Sequence, residues 1–361
     1  MVQGLFSLTG ERRRRTGGAA LMIIQAHGLR KRFRVRTRAP GALGALRGLI
    51  MPRRRRITAV DDIELAVDRG EVIAFIGPNG AGKSTTIKLL TGILHRDAGT
   101  VSVLGMDPQR HRRRLAYRIA TVFGQKSQLW FHLPPIDTFR LLADVYDVEP
   151  RRARQRIASL TEIFGIEKHL TTPVRKLSLG ERIRCEIAAS LIHDPEILLL
   201  DEPTIGLDVV IRQRIRDLIA EVNRERGVTV FLTSHDTGDI EKVCRRAIVI
   251  NHGRIVWDGA VGELRGSLLA TKIMDLKLEA PLVFDQPDVT IRHAGRYTAT
   301  LEVDTRRTRI EAVVRAILKR NTVLDITISD PPMEEVIAAL YESAGNRRLV
   351  QDGKDGRNGT P

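Results

Sequence analysis

The stretch "EVIAFIGPNGAGKSTTIKLL", residues 71–90, decides the fold. Its first half, Val72 to Ile76, is an unbroken apolar run with the length of a buried strand. Its second half starts a helix at Lys83. Between them, Gly77, Pro78, Asn79, Gly80, Ala81, Gly82, Lys83, Ser84 and Thr85 match G-x-x-x-x-G-K-[ST], in the strand-to-helix context that this phosphate-loop pattern requires. The glycines let backbone N–H groups close around a β-phosphate, and the helix N-terminus adds the positive end of its dipole. Lys83 is expected to reach the β- and γ-phosphates, and the Ser84 hydroxyl to ligate Mg²⁺.

A second strand completes the chemistry. In "EILLLDEP", residues 196–203, the apolar run Ile197 to Leu200 buries the chain and delivers Asp201 to its carboxyl end. Asp201 is expected to partner Mg²⁺, directly or through water. Glu202 is expected to polarise an attacking water as general base. Adjacent residues of a strand point to opposite sides, which gives the two carboxylates different directions.

Taken together, these motifs resemble the nucleotide-binding domain of ABC ATPases over roughly residues 22–262. Gln125 in "VFGQKSQLW" stands where that family's Q-loop glutamine contacts Mg²⁺ and the attacking water. "LSLGE", Leu177, Ser178, Leu179, Gly180 and Glu181, resembles the signature motif. "GLD", Gly206, Leu207 and Asp208, resembles the D-loop, and His235 in "LTSHD" resembles the switch histidine at the γ-phosphate. The resemblance implies an α/β fold: a mixed, largely parallel sheet with a helical signature subdomain at about 126–196. It also implies ATP and Mg²⁺, and a homodimer in which the signature motif of one copy acts in trans on the other's ATP.

Finer features narrow the resemblance. The block "FGQKSQLWFHLPPIDTF", the continuation "DEPTIGLDVV" and the basic insertion ahead of the phosphate loop are similar to ATPase subunits that pair with ABC-2-type permeases, mostly exporters. Residues around Gln125–Phe139, with Trp130 and Phe131 beside paired prolines, then stand where the permease would dock. Adenine is stacked by an aromatic residue in this family. Phe33 and an arginine of the Arg53–Arg56 run are the candidates here, with Phe33 preferred. The signature departs from the family's Ser-Gly-Gly-Gln at Leu179 and Glu181. Locally, Ser178 and Glu181 also form a capping-box pattern ahead of an amphipathic helix.

Composition bounds the rest. The chain has 361 residues and a net charge of +16, enough for about two domains. Residues 1–56 hold 15 Lys/Arg and one acid, whereas the remainder holds 44 basic and 42 acidic side chains. The basicity belongs to one segment, so a groove for a specific nucleic acid is not expected. A solvated arm and contact with an anionic membrane surface both fit that segment. Cys185 and Cys244 offer neither a disulfide framework nor a zinc site. No run is long and apolar enough to span a bilayer. The resemblance therefore places the chain in the cytoplasm, peripheral on the inner face of the plasma membrane, with the permease on separate chains.

The expected organisation is a disordered basic extension at 1–21, an ATPase domain at 22–265 with an inserted loop at about 36–56, an α+β accessory domain at 266–344 and a disordered tail at 345–361. A soluble ABC ATPase acting on nucleic acid or ribosomes, and an ATP-dependent regulatory switch, are the rival readings.

Overall fold

The computed structural model describes residues 22–36, 54–124, 127–234, 237–268 and 271–341. Two long strands, β1 (Met22–Arg36) and β2 (Arg54–Asp68), pair antiparallel from Met22↔Asp68 to Arg36↔Arg54. The ends of the expected insertion at 36–56 are thus ladder rather than loop, because the β-branched and arginine-rich flanks continue the pairing. Residues 37–53 lie outside the described residues, as do 1–21 and 342–361.

The central sheet has six strands: β3 (Val72–Ile76), β5 (Ile119–Phe123), β6 (Ile197–Asp201), β7 (Thr229–Ser234), β8 (Arg246–Asn251) and β9 (Arg254–Ala260). Their order is β5-β6-β7-β3-β8-β9, parallel throughout except for β9. The core strands read as continuous apolar runs because helices or the antiparallel sheet cover both faces. β4 (Ala98–Val103) joins the free side of β1 to make that antiparallel layer. Its side chains Ile24, Leu29, Ile63 and Val101 share a core with Phe75, Ile87 and Phe231.

This order has one consequence for function. β6, β7 and β3 are neighbours, so their carboxyl ends, Asp201, Ser234 and Ile76, lie side by side. Ligands of open parallel sheets bind at that edge. The helix α1 (Lys83–Leu90) leaves it directly. It ends at Leu90, and Gly92 then turns the chain at φ 70°.

After α2 (Arg112–Ala116), a helical subdomain follows: α3 (Pro135–Val145), α4 (Pro150–Phe164) and α5 (Leu179–Ser190). Phe139, Leu160, Phe164, Ile183 and Ile187 are all buried where these helices meet. Glu149 caps α4 by accepting the N–H groups of Arg151 and Arg152. α6 (Val209–Arg226), α7 (Thr237–Val243) and α8 (Val261–Leu268) complete the nucleotide unit.

A second, antiparallel sheet carries β10 (Thr271–Leu278), β11 (Val289–Ala294), β12 (Thr298–Asp304) and β13 (Val323–Ser329) in the order β11-β12-β10-β13. α9 (Ile310–Arg320) covers one face, with Val313 and Ile317 against Met274, Leu276 and Leu301. The last helical residues, 333–341, behave differently. Met333, Val336, Ile337 and Leu340 belong to the core of the nucleotide unit, alongside Ala247, Val249 and Leu264.

Candidate active site

The phosphate loop closes on its own sheet. A Cβ on Gly77 would meet the Ile250 carbonyl oxygen at 2.5 Å, and one on Gly82 the Ala59 carbonyl at 2.4 Å. Gly82 also takes φ 111°, a conformation that side chains oppose, so the N-terminus of α1 can be reached only with glycine there. Pro78, Asn79 and Gly80 form the exposed tip, while Ala81 is buried beneath them. Lys83 is 5% exposed. Its ammonium donates to the Gly77 carbonyl at 2.7 Å and to that of Pro78 at 3.4 Å, and it lies 3.2 Å from Glu202 Oε1.

The two carboxylates are separated by a backbone kink, not by strand alternation. β6 stops at Asp201, and Glu202 sits at φ 54°, a left-handed conformation costly for a side chain other than glycine. That correction sharpens the site: the kink turns Glu202 toward Lys83. Thr233 on β7 serves both acids. Its hydroxyl donates to Asp201 Oδ1 at 2.7 Å and accepts the Glu202 N–H at 3.0 Å, while the Thr233 carbonyl accepts that same N–H at 3.1 Å.

A buried hub lies behind them that the sequence reading missed. Asp239, on α7, is fully buried. Its oxygens accept from Thr204 Oγ1, Ser234 Oγ and Arg216 Nε, each at 2.6 Å. The chain after Glu202, the residue ahead of His235 and the helix α6 are thereby tied to one carboxylate. The available signal was the density of polar residues in "TSHDTGD" within an apolar frame. Gln125 and His235 themselves lie outside the described residues.

The signature segment starts α5 as a capping box. The Glu181 N–H donates to Ser178 Oγ at 3.4 Å, and the Ser178 N–H to Glu181 Oε2 at 2.8 Å. That backbone bond holds the Glu181 carboxyl below its ordinary range. Ser178 is exposed, Leu177 and Leu179 are half-buried, and Gly180 is buried. A Cβ on Gly180 would lie 2.6 Å from Ile211 Cγ2, so this glycine is demanded by packing against α6 within the chain itself. Leu179 reaches the D-loop: its Cδ2 is 3.4 Å from where a Cβ on Gly206 would be. Leu207 is buried, and Asp208 caps α6 by accepting the Ile211 N–H at 2.9 Å. Beside it Val209 and Val210 are 75% and 76% exposed.

Two further regions complete the site's surroundings. Glu186 of α5 is buried, and burial raises its carboxyl pKa against a hydrogen bond with Ser127, two residues past Gln125. Just beyond, Trp130, Phe131 and Leu133 are exposed although Leu129 and Phe139 are buried. Phe33 faces Ile57 across the β1–β2 ladder, with the Lys31 ammonium 5.6 Å from its ring centroid. Two residues past Ile57, the Ala59 carbonyl lies against Gly82. Arg55 and Arg56 are exposed on the same ladder.

Mg²⁺ fits this donor set only together with phosphate oxygens. Among the described residues no cluster of three His, Cys, Asp or Glu could hold a metal alone. Thr233 engages only Oδ1 of Asp201, and Ser84 stands half-exposed at the start of α1. Both cysteines are free and buried. No helix among the described residues is long and apolar enough to cross a membrane.

Comparison with known proteins gives a consistent result. Residues 60–205 match the family described as "ABC transporter". The chain is 32% identical over 306 residues to the daunorubicin/doxorubicin resistance ATP-binding protein DrrA of Streptomyces peucetius, covering 81% of this chain and 91% of that one. It is 28% identical over 292 residues to the linearmycin resistance ATP-binding protein LnrL of Bacillus subtilis, covering 78% and 93%. In structure it resembles a dimeric ATP-binding cassette in a post-hydrolysis state bound to ADP and Pi. The TM-score is 0.55 at 22% identity, over 66% of this chain and 98% of the other.

Proposed function

Because this chain belongs to the ABC transporters as an ATP-binding subunit of the exporter type, we propose that it binds ATP at the Gly77–Thr85 loop and works as one of two identical copies. It is an ATP hydrolase that energises a separate permease. The observation that carries the finer reading is the contact of Lys83 with Glu202 at 3.2 Å across the ends of α1 and β6.

That contact suggests how the chain's own groups respond to substrate. ATP phosphates offer the Lys83 ammonium a denser negative charge than one carboxylate does. Lys83 then turns to the phosphates, and Glu202 is released to accept a proton from the attacking water. Thr233 keeps Asp201 and the Glu202 backbone fixed during that exchange. Ser84, Gln125 and Asp201 are the residues that would hold Mg²⁺, whose charge neutralises the phosphates when it is bound. Phe33 is the residue for adenine stacking, since its ladder runs to the phosphate loop.

Ser178 and Gly180 would complete the partner's site. The α5 N-terminus supplies them, with its positive dipole end toward phosphate. The exposed Trp130, Phe131 and Leu133 form an apolar patch suited to a permease helix. The chain then sits in the cytoplasm against the inner membrane face, where the basic segment 1–56 is drawn to anionic lipid.

Lys83→Ala should weaken ATP binding by about tenfold or more, the usual worth of a charge-assisted hydrogen bond, read by fluorescence titration with an ATP analogue. Unchanged affinity would remove Lys83 from the phosphate site. Co-purification of a membrane chain of several spans supports the permease reading, and recovery of ribosomes or DNA instead overturns it.

A further inference from the structure

The accessory sheet ends on one side in a strand whose outer edge pairs with no other strand among the described residues. β13 pairs with β10 alone. Directly opposed residues of antiparallel strands share a face. Ile326 opposite Leu276 and Ile328 opposite Met274 therefore lie on the face that α9 covers. Asp325 opposite Lys277 and Thr327 opposite Asp275 lie on the other. A register shift at the strand's start makes Leu324 an extra residue beside Val323. Leu324 is 67% exposed and Ile328 42%.

Natural sheets usually guard such an edge with charge, proline or a bulge. The opposite edge is guarded. On β11, Arg292 donates to Glu302 at 2.7 Å and to Glu335 at 2.8 Å, and the register shifts between Ile291 and His293. β13 has its own shift only at its start, pairs with β10 without interruption from Asp325 to Ser329, and carries four apolar side chains and a single charge, Asp325. It is a template for strand addition.

Resting on the reading that two copies work together, we propose that β13 pairs with β13 of the second copy, antiparallel, across a two-fold axis at Ile326. The second copy is the occupant already brought close by the pairing of two chains, and one register suits it. A two-fold axis perpendicular to the sheet keeps both α9 helices on one face and centres the pairing on one residue. Centred on Asp325, it opposes two carboxylates. Centred on Thr327, it sets Leu324 against Asp330. Centred on Ile326, it sets Leu324 opposite Ile328 and Asp325 opposite Thr327, so that apolar side chains meet and no like charges are opposed. Two short strands bury less than a standard interface. The contact is weak between free copies and gains strength from the ATP-driven pairing of the same two chains. It keeps the accessory units together when the ATP sites open.

The test uses the full chain carrying Asp325→Cys and Thr327→Cys, which alter the exposed face only, under mild copper-phenanthroline oxidation. The native cysteines are buried. The expected result is a disulfide-linked dimer that Asp325→Cys alone does not give. In the same background L324K/I328K opposes like charges and should suppress the dimer, and L324E/I328K opposes unlike charges and should restore it. A double-cysteine variant that links no faster than the single one overturns the strand contact. Equal rates in the two charge variants overturn the register. Adding Lys83→Ala separates the two readings: cross-linking that survives there supports β13 without ATP-driven pairing, and ATP-driven pairing without cross-linking counts against β13 alone.

Discussion

Three residues carry more than their types suggest. Glu202 is held in a left-handed backbone conformation, φ 54°, between a strand and a turn. Strain of this kind persists only where neighbours impose it, and here Thr233 does so through both its hydroxyl and its carbonyl. Leu179 stands where the family has glycine, yet its side chain lies on the D-loop glycine, Gly206, and is part of the nucleotide unit's core rim. The substitution thus joins two segments that would act on one ATP. Gly180 is fixed by Ile211. Gly180→Ala should destabilise the chain by about 1–3 kcal/mol, the usual cost of overpacking, and Ile211→Ala should recover most of that loss. Urea unfolding of the two single variants and the double variant measures the coupling. Simple additivity would show that Ile211 is not the obstacle.

At the scale of elements, the strands that deliver chemistry were legible because their apolar runs end in glycine or acid: Val72–Ile76 before the phosphate loop, Ile197–Leu200 before Asp201. The capping box of α5 was legible for the same reason, a fixed spacing of polar groups. What the sequence withheld was partnership. An amphipathic pattern shows which face of a helix is apolar but not what covers it, and residues 333–341 illustrate this. They follow β13 directly, yet they bury Met333, Val336, Ile337 and Leu340 in the nucleotide unit, and the Asn251 amide at the end of β8 donates to the Tyr341 carbonyl at 3.4 Å. Asp239 escaped because an acid early in a helix looks like an ordinary dipole partner. Ile337→Ala should cost about 2–5 kcal/mol as a buried large-to-small change. The loss should appear in the unfolding of the nucleotide unit, followed by protection of its ATP site from hydrogen exchange. An effect confined to the accessory sheet would contradict the packing.

For the whole molecule, the layout places chemistry and coupling on different parts of one chain. The phosphate loop, Asp201 and Glu202 converge at the carboxyl edge of one sheet, whereas Ser178 starts a helix in the α-helical subdomain. Val209 and Val210 project beside the D-loop, on a surface that the proposed second copy would cover. The central claim is therefore that ATP brings two copies together and that Glu202 starts its breakdown. Replacing Glu202 by Gln removes the base while leaving the phosphate loop intact, and should lower turnover by about 10²–10⁴-fold. Sedimentation velocity of Glu202→Gln with and without saturating Mg-ATP tests this most directly. The account predicts a shift from a slower species to a stable dimer on adding ATP; a sedimentation coefficient unchanged by ATP would contradict it.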